Sequence, residues 1–224
     1  MSFFVKEIVD EQWGSYFELT GAGYGAFIAL MLVVLILGCL VGEDKKKKVG
    51  TKQLVFSAAA MALGMVTSMI KLADMPMGGS VTLCSMLFIC LIGYMFGLRA
   101  GLMSAIAYGL LQLIVDPYII GIAQLFMDYI FGFGALGLSG VFANKKRGLL
   151  WGYILGVLGR YFFTFLSGMI FFGSNGVYYD MSAPVYSLIY NGAYLGPEAV
   201  ITVMLLMLPP VEKGLAKVKA MAKE

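Results

Sequence analysis

The sequence predicts an all-α membrane protein, a bundle of seven helical spans, and three observations carry that reading. Of 224 residues, 60% are hydrophobic and only 13% charged, where a soluble domain carries about 25% charged residues; mean hydropathy is +0.88. Apolar stretches recur along the chain at close to the ~20 residues that cross about 30 Å of hydrocarbon. The loops between them alternate in charge, basic then acidic, as the positive-inside rule requires of successive membrane faces.

Residues 1–20 are mixed and polar, with Glu7, Asp10, Glu11 and Glu18 against Lys6. They lack a signal peptide's basic start and small-residue cleavage site. The first span covers about Gly21–Gly42 and is followed by the basic run Lys45–Lys48. The second covers about Thr51–Ile70, the third about Val81–Phe96, with residues 71–80 read as a loop between them. Arg99 lies in the short turn before the fourth, about Gly101–Val115. Asp116-Pro117 ends that helix, because proline disfavours helical geometry in the residue before it. The fifth span runs about Tyr118–Ala143 and stops at Lys145-Lys146-Arg147; the sixth covers about Leu149–Phe172. A Gly/Tyr/Ser loop leads to the seventh, about Val185–Leu208, and the basic tail, residues 213–224, reads as a short surface helix. Lys45–Lys48, Arg99, Lys145–Arg147 and the tail fall on one side, and the acidic N-terminus, the 71–80 loop, Asp116 and Asp180 on the other. The N-terminus is therefore expected outside and the C-terminus in the cytoplasm.

Composition excludes several functions. There is no histidine, the commonest general base and metal ligand. Cys39, Cys84 and Cys90 are odd in number and form no CxxC, which supports neither a disulfide framework nor a zinc site. Neither GxxxxGK[ST], GxSxG nor HExxH occurs, so neither a P-loop, a nucleophile elbow nor a zinc-protease motif is present. Catalysis by this chain and a bound cofactor are not expected. The net charge of +3 gathers at span ends, which fits the lipid bilayer rather than nucleic acid.

The residues that stand out are the ionisable groups deep in apolar spans: Asp128, Arg160 and Glu198. A carboxylate at the centre of a membrane helix costs roughly 2.5–3.5 kcal/mol and must face a partner, a cavity or a ligand. Asp128 has Tyr129 beside it and Gln124 one turn before it. Arg160, Thr164, Gly168 and Phe172 recur at intervals of four on the sixth span, so they line one helix face. Arg160 either faces a ligand or pairs with Glu198 or Asp128, and Gly168 leaves a gap for a ligand or another backbone. On the seventh span Tyr186, Tyr190 and Tyr194 recur every four residues around Asn191. Tyr190 and Tyr194 read as interfacial aromatic belt, whereas the Asn191 amide needs hydrogen-bond partners. If all three charges share one cavity, two carboxylates against one guanidinium leave one net negative charge. That balance suits an organic monocation against aromatic rings. The second span carries Ala58-x-x-x-Ala62 and Ala60-x-x-x-Gly64, spacings that serve internal packing or a partner helix.

Four segments, MPMGGSVTL at 75–83, MDYIFGFGALGLSGVFA at 127–143, RYFFTFLSGMIFFGS at 160–174 and PVYSLIYNGAYLGP at 184–197, resemble the thiamine-specific S-component of energy-coupling factor (ECF) transporters. The resemblance runs from about Lys52 to the C-terminus. It implies a six-helix substrate-binding membrane domain over residues 51–212, preceded by an additional helix within residues 1–50. It also implies capture of thiamine near the outer face, and docking on a transmembrane scaffold subunit and two ATPases. By motif position, it implies ligand contacts at Asp128, Tyr129, Arg160, Tyr161, Thr164, Gly168, Phe172, Tyr186 and Asn191, and scaffold docking at Ala58 and Ala62. Asp128 stands where some members have glutamate, Thr164 where some have histidine, and Phe172 where some have tryptophan. These departures leave room for a thiamine precursor or another vitamin as ligand. A stand-alone channel or structural membrane protein is the contrasting expectation.

Overall fold

A computed structural model describes residues 5–10, 14–23, 25–26, 50–172, 175 and 179–223. Two strands, β1 (Val5–Asp10) and β2 (Gly14–Leu19), pair antiparallel with Val5 opposite Leu19. Thr20 Oγ1 then accepts from Gly23 N at 3.2 Å, an N-cap contact at the start of the expected first span. The body of that span and Lys45–Lys48 lie outside the described residues.

The rest is a helical bundle. Helix α1 spans Thr51–Ser68, α2 Ser85–Phe96, α3 Leu98–Val115, α4 Ile122–Phe142, α5 Gly148–Phe171, α6 Ala183–Met207 and α7 Pro209–Lys223. Helices α3 to α6 are each long and apolar enough to cross a membrane. The stretch read as a loop at 71–80 is instead a hairpin. Strand β3 (Lys71–Asp74) pairs antiparallel with β4 (Ser80–Thr82) around a single helical turn at Pro76–Gly78. Lys71 Nζ ties β3 to the end of α3, 2.9 Å from Asp116 Oδ2 and 3.5 Å from Asp74 Oδ1. The Asp116 hydrogen bond holds the Lys71 ammonium above its ordinary range. A raised lysine keeps its contribution at neutral pH and loses it as pH climbs through that raised value.

The hairpin shortens the third expected span. Its helix, α2, has 12 residues, about 18 Å at 1.5 Å per residue, too short to cross the hydrocarbon. It lies instead at the centre of the bundle, with Met86, Ile89, Ile92 and Met95 at 0–1% exposure. Gly97 (φ 94°) alone joins α2 to α3, a left-handed turn that glycine adopts without a Cβ penalty. Ser139 Oγ of α4 donates to Cys90 O of α2 at 2.8 Å, and Tyr108 of α3, fully buried, donates to Gly64 O of α1 at 3.0 Å.

The first residue of α2 follows Cys84, whose side chain does not cap it. The cap comes from α6. Glu198, buried at 3% exposure, accepts from Met86 N at 3.1 Å, Ser85 Oγ at 3.2 Å and Thr82 Oγ1 at 2.6 Å. A carboxylate belongs at a helix N-terminus, where unpaired amides and the helix dipole both favour it. The Arg160–Glu198 pair, one of the alternatives open for Arg160, is therefore not formed: Glu198 is committed to α2 and β4.

The tail helix α7 begins at Pro209 rather than at residue 213, since proline is suited to a first helical turn. Val211, Leu215, Val218 and Ala222 pack on the core of the bundle. Lys219 crosses to the α4–α5 turn, donating to Ala143 O and lying 3.8 Å from the Tyr94 ring centroid.

Glu198→Ala leaves Met86 N and one of the two hydroxyls of Thr82 and Ser85 unmet, since those hydroxyls lie 2.8 Å apart and one can donate to the other. It is expected to destabilise the ligand-free protein by about 3 kcal/mol, at about 1–3 kcal/mol per buried unsatisfied group with partial relaxation. Thermal unfolding in detergent measures it, and Glu198→Gln, which keeps an acceptor, should lose less.

Candidate functional site

A cavity of about 150 Å³ opens at the hairpin end of the bundle. Its walls come from the β3–β4 hairpin, the 116–118 bend, α4, α5 and α6, and its floor includes Ser85 and Glu198. Of the residues expected to touch ligand, Asp128, Tyr129, Arg160, Thr164, Gly168, Phe172, Tyr186 and Asn191 line it. Tyr161 does not. Its hydroxyl donates to Leu188 O at 2.9 Å and joins α5 to α6 away from the cavity.

Asp128 is not at mid-span. Helix α4 starts only at Ile122, and Asp128 lies in its first third. From Phe126 to Gly132 the helix is wound as a π-helix, a local widening frequent at functional sites. Gln124 Nε2 donates to Asp128 Oδ2 at 2.7 Å. The Tyr129 hydroxyl faces the bend before α4, accepting from Tyr118 N at 2.9 Å and donating to Asp116 O at 3.1 Å. It thereby satisfies backbone groups that the Asp116-Pro117 break leaves outside any helix.

Among the described residues Arg160 forms no ion pair with either Asp128 or Glu198. Its guanidinium carbon lies 3.9 Å from the Phe133 ring centroid, a cation–π contact. Its Nε is buried without a hydrogen-bond partner, as is Ser167 Oγ on the same helix. Both atoms belong to residues of the cavity wall, where unmet donors are available to an incoming acceptor.

The Asn191 amide has its NH₂ end fully engaged and one of the two lone pairs of its oxygen in use. Nδ2 donates to Ser187 O at 2.9 Å and Thr164 O at 3.2 Å, and Oδ1 accepts from Tyr194 at 3.0 Å. Gly168 makes this possible: a Cβ there would lie 3.0 Å from Asn191 Nδ2 and collide with Ser187 Oγ. The gap anticipated at Gly168 is thus filled by α6. Thr164 turns its hydroxyl onto its own helix, donating to Arg160 O or Tyr161 O at 3.1–3.2 Å.

Aromatic rings supply the rest of the wall. Phe172 stacks on Tyr118 with centroids 5.9 Å apart, and Tyr179, Tyr186, Tyr190 and Tyr194 follow one another at 5.8 Å. Tyr190 and Tyr194, read from sequence as interfacial belt, face the cavity. The Tyr190 hydroxyl accepts from Gly79 N at 3.1 Å and donates to Pro76 O, fastening the hairpin over the site. Their shared spacing with Tyr186 was the available signal. Gln124, one turn before Asp128, also lines the wall, as do Tyr118 and Phe133, which polarity and spacing alone did not single out.

Fold and site together define a class: a multi-pass helical membrane protein with a cavity lined by the Asp128 carboxylate and aromatic rings. Residues 54–217 match the thiamine transporter protein family. The thiamine transporter ThiT of Bacillus subtilis (strain 168) is 34% identical over 170 residues, 69% of this chain and 85% of that protein. A solved structure of ThiT from Listeria monocytogenes serovar superposes with a TM-score of 0.55 at 23% identity, covering 80% of this chain and 96% of that one. The chain belongs to the thiamine transporter protein family. It is a multi-pass membrane transport protein and not an enzyme, and the resemblance to the thiamine branch is borne out.

Proposed function

We propose that this protein is the thiamine-binding S-component of an ECF-type importer, which hands thiamine across the membrane when docked on a transmembrane scaffold and two ATPases. The observation that carries the ligand reading is the charge arrangement. Glu198 is satisfied by three hydrogen-bond donors from β4 and α2, Arg160 rests on Phe133, and the Asp128 carboxylate shares the cavity wall with the Tyr118–Phe172 stack. A quaternary thiazolium is an organic monocation that finds there both an opposite charge and π faces. The aminopyrimidine end is assigned to Tyr186 and Asn191, on the opposite wall. In this reading the protein has seven spans, the first at about residues 21–42. The N-terminus and the hairpin end lie outside, and the α7 end is cytoplasmic.

The docking surface is assigned to α1. Ala60 and Gly64 turn inward, whereas Ala58 and Ala62 are exposed beside exposed Leu54, Val55, Leu63 and Val66. An outward small-residue stripe admits close approach of another membrane helix.

Three expectations follow. Purified protein titrated with thiamine should bind below micromolar concentration. Asp128→Asn should weaken thiamine by about ten- to a hundredfold, roughly 1.4–2.8 kcal/mol, while a neutral aminopyrimidine fragment loses much less; equal losses would remove the charge role of Asp128. Ala58→Trp with Ala62→Trp should abolish co-purification of the scaffold and ATPases with thiamine affinity unchanged; undiminished co-purification would assign docking elsewhere.

A further inference from the structure

Gln124 is buried at 2% exposure, in the first turn of α4, and no element of the transport reading uses it. Each group of its amide has a partner. Oε1 accepts from Ile120 N at 3.3 Å, and Nε2 donates to Tyr118 O at 3.2 Å and to Asp128 Oδ2 at 2.7 Å. The two acceptors fix the NH₂ end and the backbone N–H fixes the carbonyl end, so turning the amide over would set oxygen against oxygen at two contacts. The side chain therefore has one satisfied orientation.

That orientation joins two walls of the cavity. One is the Asp128 carboxylate. The other is the segment before α4, whose Tyr118 ring stacks on Phe172 and whose Tyr118 N is held by the Tyr129 hydroxyl. We propose that Gln124 is a positioning residue for ligand binding: its amide sets the Asp128 carboxylate relative to the Tyr118–Phe172 stack before the ligand arrives. This rests on the reading of Asp128 as the partner of a cationic ligand. A carboxylate held in its bound geometry spares the ligand the cost of ordering it, and the donor at 2.7 Å is in the short range of charge-assisted hydrogen bonds. A glutamine that only closed the turn before α4 would need its contacts to Tyr118 and Ile120 but not the one to Asp128. The two roles therefore differ in whether the effect of Gln124 passes through the carboxylate.

A double-mutant cycle separates them. Gln124→Met preserves length and removes the donors; it is combined with Asp128→Asn in the full-length protein. Thiamine and a neutral aminopyrimidine fragment are titrated by intrinsic fluorescence. Positioning through Asp128 gives about tenfold weaker thiamine binding in the wild-type background, less than about twofold in the Asp128→Asn background, and a neutral fragment nearly unaffected, because coupled residues are non-additive. Equal loss in both backgrounds, equal loss for both ligands, or no loss overturns the proposal. Gln124→Asn, one methylene too short to reach both walls, should reproduce the thiamine-selective loss and serves if the Met variant does not fold. Wild-type protein that binds no thiamine would overturn the ligand reading itself, whereas wild-type binding with an additive cycle would overturn the role of Gln124 alone.

Discussion

The hydrogen bond between Gln124 and Asp128 ties two walls of the cavity together. In an apolar bundle a carboxylate must be given donors or it forfeits its charge. Here it receives a donor from a side chain that is itself anchored to the backbone at Tyr118 and Ile120. The helix break at Asp116-Pro117 makes that anchorage available. Without it α3 and α4 would have no loose backbone groups to hold, and Gln124 and Tyr129 would have nothing to bind. The same break moves the start of α4 to Ile122, which brings Asp128 near the hairpin end rather than to mid-membrane.

A second carboxylate serves architecture. Glu198 caps α2 from across the bundle and draws together α6, β4 and α2. Helix α2 is short because β4 takes up the first residues of its apolar stretch, and that substitution creates room above it for the cavity. The two acids thus divide their work by environment. Three donors satisfy Glu198 within the protein, whereas Asp128 faces a wall of rings with Arg160 nearby but outside ion-pair distance. In the proposed mechanism this asymmetry sets the direction of the ligand, with its cationic ring toward α4 and its neutral ring toward α6.

Much of the helical frame was legible in the sequence because hydropathy marks span ends and basic residues mark one face. Helices α3, α5 and α6 begin and end within about three residues of the expected limits, an ordinary uncertainty for element boundaries. The β3–β4 hairpin was not legible, since strands of three and four residues carry little periodic signal. The role of Glu198 depends on Thr82 and Ser85, more than a hundred positions away in sequence, a pairing that no local pattern reveals. Tyr190 and Tyr194 face the cavity rather than lipid, a difference their spacing does not show, because a stripe at intervals of four defines a face without saying whether lipid or cavity lies against it. Tyr161 lies outside the cavity for a related reason. One residue beyond Arg160 is a rotation of about 100° around the helix, enough to carry its ring from the cavity to the contact with Leu188.

In the proposed binding mode an organic cation sits between the Asp128 carboxylate and the aromatic wall. The most direct measurement is a structure of the full chain with thiamine bound. The expected result has the thiazolium within about 4–6 Å of the Asp128 carboxylate, the range in which an opposite charge acts strongly, with the aminopyrimidine at the Tyr186–Asn191 side. Thiamine density elsewhere in the protein, or thiamine in the cavity with its thiazolium at the far wall from Asp128, would contradict it.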